Sequence, residues 1–276
     1  MINDTGYLSV TRLIYLTVGR IAIFTARLMA GRESLVFLSV LSDDSGSPLG
    51  VERGVYHSSE IRWFFRDGPR CEVDQWFSSC ALAVTEPPRV DNYIILPRCK
   101  TAGVKIRQGN IEVKAQTQNS ELLEISDRVG GFQDAWVKWS RPAANPDAVF
   151  AAPSIPECWA CVEKARVLRL LTLEAESPDE IAPGSRHLHV GCQAEKTDLR
   201  VIVLDTDVEP SAHDWKKAER WWSFSLEAFG PANEVGGLLH RAASHWFGQD
   251  FPATLLAEDS MSYPEWLARL EQKAAA

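Results

Sequence analysis

Four short stretches of this chain set charges two residues apart. They are Glu60-Ile61-Arg62, Lys105-Ile106-Arg107, Glu112-Val113-Lys114 and Glu163-Lys164-Ala165-Arg166. On a β-strand, residues i and i+2 point to the same side. Each stretch therefore carries two charges on one face, and in the first three the intervening residue is apolar. One such strand is an ordinary solvated face of a sheet with a wet side. Several of them, hydrogen-bonded around a closed sheet, would line an interior with lysine and arginine. Those side chains hold phosphate oxygens through charge-assisted hydrogen bonds.

On that pattern Lys105, Arg107, Lys114, Lys164 and Arg166 are the candidate phosphate ligands. Arg62 either adds a further cation or pairs with Glu60. The carboxylates Glu60, Glu112, Glu195 and Glu227 balance the neighbouring charges or hold a hard divalent ion, which takes oxygen ligands and only one or two carboxylates. Other chemistries are poorly supported. Cys158-Trp159-Ala160-Cys161 has CxxC spacing without a second CxxC or a suitably spaced His pair, so the six cysteines read as structural thiols. His187-Leu188-His189 would put two imidazoles on one strand face, at a solvated strand start. His240 and His245 are five apart, not at the i, i+4 spacing of a helical zinc site. No Gly-x-Ser-x-Gly elbow and no glycine-rich phosphate loop occurs.

The elements that must position these residues begin near Val55. Strands are expected at 58–66, 91–97, 103–107, 110–116, 134–140, 158–169, 187–196, 199–206 and 219–229, with Gln108-Gly109-Asn110 as a tight hairpin. Helices are expected at 72–84, at 233–246 with Asn233 as its cap, and at 263–275 with Pro264 in its first turn. Residues 141–157 and 177–186 read as loops. Residues 1–50 form an N-terminal extension ending in the linker-like 42–50, and 51–276 form the main domain. Arginines interrupt the apolar stretch 13–41. It is therefore neither a membrane span nor a signal peptide, and an amphipathic helix or an unpacked extension remains. The 276 residues are 45% hydrophobic and 24% charged, ordinary for a globular protein, and the net charge of -8 argues against a nucleic-acid binder. The ten Trp suit a core and a barrel wall. Scattered thiols and the lack of a spanning segment point to a cytoplasmic monomer or homodimer.

From about Ser58 to Gly230 the order of these pieces resembles the CYTH superfamily, the triphosphate tunnel metalloenzymes. The Glu-x-Glu-x-Lys element of that family falls on Glu60-Ile61-Arg62-Trp63-Phe64. Its Asp-x-Tyr falls on Asp91-Asn92-Tyr93, and its basic strands fall on Lys105-Ile106-Arg107, Glu112-Val113-Lys114 and Lys164-Ala165-Arg166. Its later inward carboxylates fall on Glu195 and Glu227. The resemblance implies an α+β fold, an antiparallel β-barrel or tunnel of about eight strands with a few flanking helices. It also implies Mg²⁺ or Mn²⁺ as cofactor, held by Glu60, Glu112, Glu195 and Glu227. Lys114 and Arg62 would act at the reacting phosphate of a small-molecule polyphosphate or nucleotide. Two departures stand out, Arg62 where the family has a second Glu and Phe64 where it has Lys. They favour phosphate binding over metal-assisted hydrolysis. The first reading is nonetheless an enzyme, hydrolysing a triphosphate-containing small molecule with its metal in the basic tunnel; the competing readings are a binding protein on the same fold and, outside the family, a barrel carrying an apolar ligand among Trp and Leu.

Overall fold

The protein is described as a computed structural model covering residues 13–14, 21–27, 34–40, 55–67, 70–96, 99–142, 159–204, 211–248 and 251–274. Cys158, the linker 42–50 and the loop 143–157 lie outside the described residues.

Three strands, β1 (Leu13–Ile14), β2 (Ile21–Arg27) and β3 (Ser34–Val40), pair antiparallel in a sheet of their own. These stretches are thus strands, where the sequence left open an amphipathic helix or an unpacked extension. The β-branched and aromatic runs Ile21-Ala22-Ile23-Phe24-Thr25 and Leu35-Val36-Phe37-Leu38 account for that preference.

The remaining strands belong to one sheet. They are β4 (Val55–Phe65), β5 (Val84–Thr85), β6 (Arg89–Ile94), β7 (Ala102–Arg107), β8 (Asn110–Gln116), β9 (Glu121–Glu124), β10 (Gly130–Pro142), β11 (Trp159–Thr172), β12 (Asp179–Ile181), β13 (Gly191–Leu204) and β14 (Glu219–Phe229). Eight of them run in the order β11-β13-β14-β4-β10-β8-β7-β6, and β6 pairs back onto β11. The sheet is therefore a closed antiparallel barrel, with β5, β9 and β12 as short additions. Among the described residues four α-helices flank it: α1 (Arg70–Ser78), α2 (Ala212–Lys217), α3 (Val235–Phe247) and α4 (Tyr263–Ala274). Among the described residues no helix is long and apolar enough to cross a membrane.

Alternation decides which residues enter the barrel. On β4, Ile61, Trp63 and Phe65 face outward into a core shared with Trp222 and Phe224 of β14, Leu238, Leu239 and Trp246 of α3, and Phe251. Their neighbours Ser58, Glu60, Arg62 and Phe64 face the interior. The apolar end of that interior is a second core, where Phe64, Tyr93, Ile95, Ala160, Val162, Leu199 and Val201 meet Met261, Trp266, Leu267 and Leu270. Helix α4 therefore closes one end of the barrel. Trp266 stacks on Phe64 with ring centroids 4.7 Å apart, and Tyr263 stacks on Tyr93 at 4.9 Å. Pro264 sits so close to Gly103 on β7 that a Cβ there would lie 3.3 Å from Pro264 Cγ.

Several element boundaries differ from the sequence reading. The strands expected at 187–196 and 199–206 are one, the 14-residue β13. Lys196-Thr197-Asp198 looks like a polar turn, but each side chain has a use in a continuous strand. Lys196 pairs with Asp74 and Asp198 with Arg70 on α1, while Thr197 donates inward to Glu195 Oε1 at 2.7 Å. His187 and His189 lie in the bend before β13, ring to ring at 5.0 Å, and not on a strand face. The helix expected over 72–84 ends at Ser78, and Val84–Thr85 instead pairs with β11. Asn233 is not a cap: Glu234 holds that position without a side-chain bond, and Pro231 O accepts from the amides of Glu234 and Val235. Helix α2 was not expected, although Ser211 and Asp214 close a reciprocal capping box around its first turn. The β7–β8 hairpin is as expected. Gln108 (φ 49°) and Gly109 (φ 74°) both have positive φ, as a type I′ turn requires.

Candidate functional site

Strand registers bring the predicted residues to the inner wall in one continuous band. Glu60 lies opposite Glu227 on β14 and Asp134 on β10. Lys114 on β8 lies opposite Lys138 and Gly103, Glu112 opposite Lys105, and Lys105 opposite Tyr93. Arg166 lies opposite Thr197, and Glu195 opposite Ser225. All ten residues singled out from the sequence are thus on the interior face. Arg169 and Arg200 are outside it. Arg169 stacks on Trp76 at 3.6 Å and pairs with Glu180, and Arg200 pairs with Glu163 at 2.7 Å.

Inside, carboxylates and cations alternate, and Arg62, Lys105, Lys114 and Arg166 each bridge two carboxylates. Arg62 Nε is 2.6 Å from Glu60 Oε1, and its Nη1 reaches Glu195 Oε1 at 3.3 Å and Ser223 Oγ at 3.1 Å. Lys114 joins Glu60 to Glu227, whose Oε1 also accepts from Ser58 Oγ at 3.0 Å. Arg166 joins Glu195, at 2.7 Å, to Glu86. Lys105 lies 3.4 Å from Asp91 and 3.1 Å from Glu112, which Arg107 also holds. Lys164 lies 3.1 Å from Asp91, donates to Tyr93 Oη at 2.6 Å and sits over the Tyr263 ring at 4.2 Å.

Depth separates these groups. Toward α4 the charged side chains are nearly all buried, Asp91 completely. At the opposite end, Lys114, Arg107 and Glu227 reach solvent, and Tyr56 is 60% exposed. Among the described residues, the interior charges are thus most exposed at the end away from α4.

Burial and pairing pull the titrations apart. Burial would raise the Glu60, Asp91, Glu112 and Glu195 carboxyls, but the lysines and arginines around them win and hold all four below the usual range. Desolvation dominates at Lys164, and its pKa falls to about 7 despite Asp91. It also dominates at Asp134, which rises to about 6 while accepting from Ser120 and Gln116.

The Mg²⁺ or Mn²⁺ expected from the resemblance does not fit this arrangement. The place between Glu60 and Glu195 is taken by the Arg62 guanidinium. Glu112 is committed to Lys105 and Arg107, away from Glu60 and Glu227. Among the described residues no group of three or more His, Cys, Asp or Glu side chains is arranged to hold a metal ion.

Sequence reasoning missed part of the site. In the sequence Asp91 and Tyr93 read only as the Asp-x-Tyr element of the resemblance, and Asp134 is not singled out, although it shares a strand face with Trp136 and Lys138. Nothing in the sequence brings Tyr263 of the terminal helix to Lys164. A carrier of apolar ligands would need an interior of Trp and Leu, yet the apolar end here is filled by α4. Compared with known proteins, the chain matches no family model, and no curated protein matches it significantly in sequence.

Proposed function

We propose that the barrel binds the phosphate chain of a small-molecule polyphosphate or nucleotide, in the manner of the triphosphate tunnel proteins that its strand motifs resemble. The observation that carries this reading is the inward band Lys105, Arg107, Lys114, Lys164 and Arg166, drawn from the three strands β7, β8 and β11, with Lys114 and Arg107 the most solvent-exposed of the five. A linear polyanion entering from the end away from α4 exchanges protein ion pairs for ligand ion pairs. Its oxygens replace Glu112 on Lys105 and Arg107, and Glu227 on Lys114. The desolvation cost of these cations is already met in the folded protein, so the exchange is less costly than ordering free surface lysines.

The arrangement favours binding over hydrolysis, because the carboxylates that would hold a catalytic ion are bound to arginine and lysine. Calorimetric titration with tripolyphosphate, a nucleoside triphosphate and orthophosphate tests the reading, together with phosphate release in Mg²⁺, Mn²⁺ or EDTA. Triphosphates are expected to bind and orthophosphate to bind far more weakly. Lys105→Met and Arg107→Met should each weaken triphosphate at least about tenfold, the order of one charged hydrogen bond. Failure of every triphosphate to bind would end this reading. Release of phosphate with Mg²⁺ or Mn²⁺ that EDTA abolishes would make the protein a triphosphatase instead.

A further inference from the structure

One guanidinium at the deep end of the barrel does what a bridging cation would do. Arg62 spans Glu60 on its own strand and Glu195 on β13, at 2.6 and 3.3 Å. Burial opposes its charge, but these two carboxylates overcome that and keep it protonated well beyond its ordinary range. Unlike a metal ion, a guanidinium offers a planar fork of N–H donors suited to a tetrahedral oxyanion. Among the described residues Nε and Nη1 serve Glu60, Glu195 and Ser223 and no bond from Nη2 occurs, which leaves Nη2 for a ligand oxygen.

Two further donors at this depth have no hydrogen-bond partner among the described residues, Ser225 Oγ and Arg166 Nε. Ser225 is 1% exposed. It lies directly opposite Arg62 on one side and Glu195 on the other, so its side chain enters the same space. A buried hydroxyl without a partner in native protein calls for an explanation, and a bound acceptor supplies one.

We infer that Arg62, Arg166, Lys164 and Ser225 form a metal-independent seat for the terminal phosphoryl group of the bound chain. The rest of the ligand runs outward past Lys114 and Arg107. The inference rests on the polyphosphate reading above and adds two things to it, the direction of the ligand and the replacement of a divalent ion by Arg62.

The test is calorimetric titration of tripolyphosphate into the full-length protein, in EDTA and in Mg²⁺, with thermal melts alongside. Wild type should bind in EDTA, and Mg²⁺ should not tighten binding. Ser225→Ala removes a hydroxyl with no hydrogen-bond partner among the described residues, so its melting temperature should hold while affinity falls about tenfold. Arg62→Lys keeps the charge but loses the fork, and should bind at least about tenfold more weakly in EDTA. Binding that appears only with Mg²⁺, or an unchanged affinity in a folded Ser225→Ala protein, overturns the seat and leaves the polyphosphate reading standing. Binding under neither condition removes both.

Discussion

Lys164 shows how much one residue's surroundings add to its type. The sequence places it on the interior face through its i, i+2 partner Arg166, and the structure adds Asp91, Tyr93 and Tyr263. Desolvation lowers its pKa from 10.5 to about 7, so above neutral pH the free protein holds it largely uncharged. An anion seated against it favours the charged form and draws a proton in. Tripolyphosphate binding at pH 8 should therefore be accompanied by uptake of up to about one proton. Calorimetry in buffers of different ionisation enthalpy measures this, and Lys164→Met should remove most of it. Uptake unchanged in the variant would show that another group takes the proton. Asp91 is a purely structural counterpart. It is fully buried among Lys105, Lys164 and Arg89, and Asp91→Asn leaves those cations facing one another. The expected loss is about 3–5 kcal/mol in urea unfolding, the range for breaking a buried pair. The pairings themselves were not legible, because spacing along one strand fixes a face and says nothing of which strand lies next to it.

At the scale of elements, what the sequence conveyed depended on whether the signal was local. The β7–β8 hairpin was legible because Gly109 in its two-residue turn permits positive φ. The helix at 263–274 was legible from its apolar stripe. Its destination was not, since nothing in Tyr263-Pro264-Glu265-Trp266 says that it plugs a barrel. The single strand β13 was misread because Lys196 and Asp198 look like turn residues until α1 supplies Asp74 and Arg70. The plug is held by buried aromatic contacts. Trp266 is 1% exposed, stacked on Phe64 and set edge-on to Trp221 at 6.0 Å. Trp266→Ala should cost about 3–5 kcal/mol in chemical denaturation. Gly103→Val would press on Pro264 and should also destabilise. An unaltered melting temperature in both would mean that α4 is not held against the barrel end.

At the scale of the whole molecule, a chain of net charge -8 encloses a wall of paired charges, and that arrangement fixes its response to acid. Glu60, Asp91, Glu112 and Glu195 all have folded pKa values depressed from the ordinary 3.8 to 4.5. A depressed carboxyl adds stability that is complete above its unfolded pKa and lost as pH falls through its folded one. Asp134 has the opposite sign: raised to about 6, it adds stability below 3.8 that disappears as pH rises past 6. One such group cannot offset four. Stability should therefore be flat or slightly rising as pH falls from 7 to about 5, then drop steeply below about 4 as the paired carboxylates take up protons together. Because they share cations, losing one pair loosens the next, and the transition should be cooperative. Urea midpoints from pH 7 to 2.5 measure the curve, and Asp134→Asn should remove its gentle rise while leaving the acid limb in place. A midpoint that stays constant down to pH 3 would mean that the interior ion pairs do not hold the barrel in its folded form.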